Sequence, residues 1–257
     1  MVTPNFPSLG HRLQHQLQQA LPFEVPLSEI PLKPGRDGVP PRYRSAVALK
    51  FAKVQQFPSL ALANCIANHW KTSEFEISVT PPGFLDVTVA DSTLADWLQQ
   101  LASDRPLWDV PQNPLSAATS AEVPFSVQYA CYRCGSLLRL GEREGLVQLD
   151  GGDRIVDTLP WCNANGRFRC DRDSEHRLIA SGIVAADILA TEDFDDRQIL
   201  KLAHRLADAF ETFHRDCRII GQPSAIARVR LGLLAVTRIL LKWLLEAGLG
   251  VSAVAEM

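Results

Sequence analysis

VQYACYRCGSLLRL, residues 127–140, decides how the second half of this 257-residue chain is read. On a helix turning about 100° per residue, Val127, Ala130, Cys131, Cys134 and Leu138 share one arc of about 100°. Gln128, Tyr129, Tyr132, Arg133, Ser136 and Arg139 fall on the opposite side. Both cysteines of the Cys-x-x-Cys pair therefore sit on the apolar stripe, where cysteine serves as a small core side chain. Zinc is the rival reading, with Cys162, Cys170 or His176 completing the ligands; it is the weaker one, because C-x7-C departs from knuckle spacing. A thioredoxin-like redox motif would need a βαβ setting, which the surrounding pattern does not supply. The other side of the helix joins aromatic rings to positive charge in Tyr129, Tyr132 and Arg133, a combination that stacks on unpaired bases and meets phosphates. A merely solvated face, with the tyrosines against a partner helix, competes with that reading.

Outward from this helix, the periodic segments of the C-terminal half are all helical: 125–141, roughly 175–190, 195–220 and 224–248. Between the first two runs a Gly-, Asp- and Asn-rich excursion, 141–174, whose VQLDGGDRIVDTL is expected to turn as a hairpin around Gly151 and Gly152. The cluster Glu192, Asp193, Asp195 and Asp196 reads as a solvated loop that caps the following helix, with metal binding as the alternative. On the last helix Arg228, Arg238 and Lys242 share an arc apart from the apolar one and form a candidate phosphate-facing stripe.

In the N-terminal half, RYRSAVALKFAKVQQ (42–56) spaces Ala46, Leu49, Ala52 and Lys53 as a helix does, and PSLALANCIANHW continues with the same period after Pro58. FEISVTPPGFLDVTVAD then alternates and is rich in β-branched residues, which argues for two strands joined at Pro81, Pro82 and Gly83. LADWLQQLA, 94–102, closes the segment as a helix. The fold expected is thus an α+β domain over 1–103, a proline-rich linker over 104–120, and an all-α helical bundle over 121–257 with the excursion at 141–174.

Composition narrows the classes. With 46% apolar and 21% charged residues the chain is globular rather than disordered. Arg238 and Lys242 interrupt the longest apolar run, and the N-terminus has no signal-peptide pattern, so a cytoplasmic protein without a membrane partner is expected. A reducing compartment leaves the six cysteines as thiols. The net charge of −3 gives no global basic footprint, so a nucleic acid would have to be held by a local patch.

VQYACYRCGSLLRL resembles the opening helix of the DALR anticodon-binding domain of arginyl-tRNA synthetases, where a VQYAHAR-like segment precedes a short aliphatic stretch. LADAFETFHRDCRII (206–220) and ARVRLGLLAVTRILLKWLLEAGLGV (227–251) resemble that domain's last helices. RYRSAVALKFAK, FPSLALANCIANHW and FEISVTPPGFLDVTV follow the order of helix, helix and Pro-Gly-Phe strand turn of the additional N-terminal domain of the same enzymes. In those enzymes a nucleotide-binding catalytic domain separates the two modules, whereas here residues 104–120 do. The chain also holds no His-x-Gly-His and no Lys-Met-Ser-Lys-Ser-like loop, so no group is present to hold ATP phosphates. The expectation is a non-catalytic relative that needs no cofactor.

The resemblance implies tRNA contacts by both modules. The N-terminal domain of the family touches the D-loop with a Pro-Gly-Phe turn and an asparagine; here these are Phe84 and Asp86, and a carboxylate would repel phosphate. In the helical domain Tyr129 and Arg133 match the family pattern, while a Phe-Tyr-Asn-x-Cys-like segment has become Phe213, His214, Arg215, Asp216 and Cys217. The residues expected at RNA are then Tyr129, Tyr132, Arg133, Arg139, His214, Arg215, Arg228, Arg238, Lys242, Phe84 and Asp86. The partner expected is tRNA, with tRNA-Arg the first candidate, or a tRNA-like RNA. The competing function is a protein-interaction module whose contact surface is the excursion, with Trp161, Arg167, Phe168 and Arg169.

Overall fold

The computed structural model describes residues 7–35, 39–103, 125–151, 154–191 and 194–253. They form two compact units, Ser8–Leu94 and, together with Pro7, residues 95 onward. The linker expected at 104–120 lies outside the described residues.

The first unit is a four-stranded antiparallel sheet with helices on one face. Its elements are α1 (Leu9–Ala20), β1 (Leu32–Pro34), β2 (Arg42–Ser45), α2 (Val47–Phe51), α3 (Ser59–Asn68), β3 (Phe75–Thr80), β4 (Phe84–Val89) and the start of α4 (Asp91–Ser103), with strand order β1-β2-β4-β3. Ser8 starts α1 by accepting from His11 N–H at 2.9 Å, and Leu9, Leu13, Leu17 and Ala20 repeat at helical spacing to bury one stripe. Tyr43 and Ser45 of β2, Phe75 of β3, and Leu85, Val87 and Val89 of β4 are buried, while alternate residues face outward.

The β3–β4 pair forms where the sequence places it, with Thr80 opposite Phe84. Gly83 closes the turn at φ +144°, a conformation L side chains rarely adopt, and a Cβ there would strike the Ser59 backbone. The helix expected from Arg42 starts only at Val47. Arg42–Ser45 is instead a strand paired with β4, because R-Y-R-S alternates and its Tyr43 and Ser45 fill the core. The helix also stops early. Gln56 turns to φ +52°, and Phe57 N–H and Gln56 N–H reach back to the Ala52 and Lys53 carbonyls.

The second unit contains α5 (Phe125–Arg143), α6 (Asp173–Leu189), α7 (Asp196–Asp216) and α8 (Ser224–Trp243), the last ending in a π-helical turn, Leu244–Gly248. The all-α reading and all four helices agree with the periodicity. Cys131 and Cys134 lie on the buried stripe of α5 with Val127, Ala130 and Leu138. Asp195 caps α7 by accepting from Gln198 N–H at 2.7 Å; Glu192 and Asp193 lie outside the described residues.

The excursion is better ordered than the sequence suggests. A first antiparallel bridge pairs Leu149 with Ile155, as a hairpin near Gly151 requires, and a second pairs Cys162 with Phe168. In the second, Asn163 Oδ1 accepts from Asn165 and Arg167 N–H, and Gly166 takes the positive φ of the turn. Trp161, expected at a protein-facing surface, is instead buried: its indole N–H donates to Gln99 Oε1 at 3.0 Å. Gln99, on α4, also accepts from Leu159 N–H and donates to the Asp157 carbonyl, so one side chain fixes three points of the excursion.

The helices are locked by a buried ion pair. Glu175 Oε1 accepts from Arg230 Nε at 2.8 Å, with both side chains almost fully enclosed. Replacing Glu175 with Ala leaves Arg230 charged and buried, and should lower the unfolding free energy by about 3–5 kcal/mol in urea titration. A loss below about 1 kcal/mol would show that water or another group compensates the arginine.

Candidate nucleic-acid interface

The RNA residues expected on α5 are all present on its outward side. Tyr129, Tyr132 and Arg133 are half-buried and Arg139 is exposed. The pattern that buries Cys131 and Cys134 is what turns them out, since they occupy the remaining arc of the same helix.

Helix α7 brings His214 to this surface. Arg133 Nε donates to His214 Nε2 over a long 3.4 Å, and the imidazole lies nearly parallel to the buried Phe210 ring, with centroids 5.7 Å apart. Acceptance from Arg133 requires a lone pair on Nε2, which the neutral imidazole supplies. Burial and the nearby guanidinium both push the His214 pKa below its ordinary value. Phe125, one turn before Tyr129, stacks on it with centroids 6.0 Å apart and planes 22° apart. Two ring pairs and one arginine thus come together from α5 and α7.

The other expected residues are dispersed. Arg215 is exposed and pairs with its neighbour Asp216 at 3.0 Å, a surface pair of small energetic weight. Arg228 donates to the Thr158 carbonyl at 3.1 Å and lies 4.0 Å from Asp157, so it fastens the excursion to α8.

Arg238 is inside the bundle. It is 5% exposed and donates through its guanidinium to the Cys131 carbonyl at 2.6 Å. Gly135 makes room for it, since a Cβ there would overlap the guanidinium. Lys242 is half-buried. The phosphate-facing stripe of Arg228, Arg238 and Lys242 is therefore not one surface. The physical reason is that α8 packs against α5, α6 and α7, which encloses Arg238 while Arg228 and Lys242 stay half-buried.

In the first unit Phe84 and Asp86 lie on the open face of the sheet. Asp86 is not a bare carboxylate. Arg44, opposite it on β2, binds it through two nitrogens at 2.6 and 3.0 Å, and Thr80 Oγ1 donates to it at 2.6 Å. The Arg44 bond holds the Asp86 carboxyl below the usual carboxylate range, and the same guanidinium sits 5.3 Å over the Phe84 ring. The repulsion of phosphate expected from Asp86 is thus offset by a cation that the motif does not contain. Lys33 and Arg42 line the same open groove.

The alternative zinc ligands fare poorly as a set. Cys170 is buried, and desolvation with nearby Glu175 raises its thiol pKa well above the ordinary value. Among the described residues no three His, Cys, Asp or Glu side chains gather as a metal site.

Sequence reasoning missed Phe125, Phe210 and Arg44. The first two had a signal: each stands one helical turn before a residue that was singled out, Tyr129 and His214. Arg44 had none, because its partner is distant in sequence.

This helical unit, with aromatic and basic groups on one outward face, is of the anticodon-binding class. Residues 127–257 match the DALR anticodon binding domain, and the chain belongs to that family. It is similar to the arginine–tRNA ligase of Moorella thermoacetica, 29% identical over 146 residues, which are 56% of this chain and 24% of that protein. The arginine–tRNA ligase of Ruminiclostridium cellulolyticum is 29% identical over 135 residues, 51% of this chain and 22% of that protein. The aligned stretch thus spans about a quarter of the length of each relative. No helix among the described residues is long and apolar enough to cross a membrane.

His214 gives a pH test of this geometry. Below about pH 6.5, its ordinary value, unfolded chains take up a proton at His214 that the folded site resists, so stability falls as the pH drops. His214→Gln should flatten the fall of the urea midpoint between about pH 7 and pH 5. His11, whose pKa is also lowered by burial and by His15, supplies a separate share, so the comparison is made in a His11→Gln background.

Proposed function

We propose that this chain binds tRNA or a tRNA-like RNA through its helical unit, and that it does so in a regulatory or accessory role without aminoacylating the RNA. Unpaired bases stack on Tyr129, Tyr132 and His214, and Arg133, Arg139 and Arg215 meet phosphates. Arg238 has no part in this surface. Phe84, with the Arg44–Asp86 pair beside it, offers a second and separate contact on the N-terminal sheet.

The observation that carries the reading is the meeting of Arg133 and His214. It unites the two segments, VQYACYR and ETFHRDC, on which the family resemblance rests, at a half-exposed face. A neutral imidazole stacked on Phe210 presents a flat surface to a base without adding a desolvated charge. The absence of His-x-Gly-His and Lys-Met-Ser-Lys-Ser-like segments from the 257 residues supports the non-catalytic part. The protein-partner alternative draws less support, because Trp161 of the excursion faces inward.

The test is a salt titration of binding to total tRNA, to tRNA-Arg and to a generic structured RNA. Affinity should favour tRNA, and the logarithmic slope against salt should fall by about 0.7 for each single-strand phosphate contact removed by Arg133→Ala or Arg139→Ala. Tyr129→Ala should weaken binding and leave the slope unchanged. Absence of binding even at low salt would overturn the reading.

A further inference from the structure

Phe125 is the most exposed large apolar side chain described in the helical unit, at 72%, although it opens a helix whose next residues are well packed. An exposed phenyl ring in water gains nothing from its apolar area. Yet this ring is oriented: it stacks on Tyr129, which follows it by one turn, with planes 22° apart. Arg133 follows Tyr129 by one more turn and is held by His214. Along one face of α5 the order is therefore ring, ring, guanidinium, at axial steps of about 6 Å. The outermost member is the most exposed of the three.

This arrangement distinguishes between ligands. Duplex RNA buries its base faces in its own stack and offers grooves and phosphates, for which an open ring has no use. A loop offers bases whose faces are free, and every base has one. We infer that Phe125 is the outer stacking platform of the site: an unpaired base lies on its open face, Tyr129 backs the ring, and Arg133 takes the adjoining phosphate. The inference rests on the RNA-binding reading above and adds Phe125, at the outer end of α5, as a stacking residue of that site.

The full chain is titrated with a hairpin RNA carrying 2-aminopurine in its loop, and with the same RNA annealed to a complement that pairs the loop. The wild type should prefer the open loop and quench its fluorescence. Phe125→Ala and Phe125→Leu should each weaken loop binding roughly tenfold to a hundredfold and relieve the quenching, whereas Phe125→Trp should retain both. Leucine separates stacking from mere apolar contact. The salt slope should be the same for all four proteins, because no phosphate contact is removed. Wild-type affinity and quenching in Phe125→Ala, alongside weakened binding in Arg133→Ala, would overturn the stacking role and leave the RNA reading standing. A salt slope lowered by about 0.7 in Phe125→Ala would also overturn it, since the ring would then be ordering a phosphate contact. A wild-type protein that binds neither RNA overturns the RNA reading and this inference together.

Discussion

The buried pair of Glu175 and Arg230 is the constraint from which the helical unit takes its geometry. Glu175 stands in the first turn of α6, and its second oxygen accepts from the Asp171 and Arg172 amides at 3.1 Å each, donors that the helix start would otherwise leave without partners. Arg230, on α8, also donates to the Arg218 carbonyl, just beyond the end of α7. One ion pair thus ties the start of α6, the body of α8 and the exit of α7. Desolvating two charges costs several kcal/mol each, and what offsets it here is three hydrogen bonds accepted by Glu175 and two donated by Arg230. The pair also has a consequence for the interface. His214 lies a few residues before Arg218, so what fixes the end of α7 also fixes the imidazole beside Arg133.

The helical unit was legible in the sequence to the extent that period speaks for structure. The angular arithmetic on residues 127–140 separates buried from outward positions correctly, cysteines included, because α5 has one covered side and one open side. The same arithmetic on α8 separates a polar arc from an apolar one and misleads. Period gives the direction of a side chain on its own helix; it does not say how many neighbours surround that helix. Arg238 is polar and enclosed, and what makes it tolerable is a carbonyl on α5 and a glycine in place of a side chain. Both are sequence-distant, so neither could be inferred from the spacing of Arg228, Arg238 and Lys242.

A similar limit governs the N-terminal unit. The β3–β4 hairpin was readable because its turn chemistry is local. Ala46, Leu49 and Ala52 at helical spacing extend the helical pattern back over Arg42–Ser45, and a strand of four residues carries too little pattern to compete. The misreading hid the electrostatics, for β2 is the element that delivers Arg44 to Asp86. A substitution that looks hostile to phosphate in one strand becomes half of a neutral pair once the neighbouring strand is in register.

The two candidate contacts handle charge in opposite ways, and this bears on what each can bind. On the sheet, cation and carboxylate are already matched, so Arg44 is a costly source of phosphate binding: an arriving phosphate must compete with a bidentate partner for the same guanidinium. On α5, the partner of Arg133 among the described residues is the His214 imidazole at long range, which orients the guanidinium without neutralising it. Its positive charge remains available to an anion. On the RNA-binding reading, the negative charge of the protein as a whole leaves the attraction of a polyanion to local cations such as Arg133, Arg139 and Arg215. That attraction decays over a Debye length of about 8 Å at physiological salt, so it acts only on RNA segments that already reach the rings. On that reading, selection at this face falls to the shape and openness of the RNA rather than to its total charge.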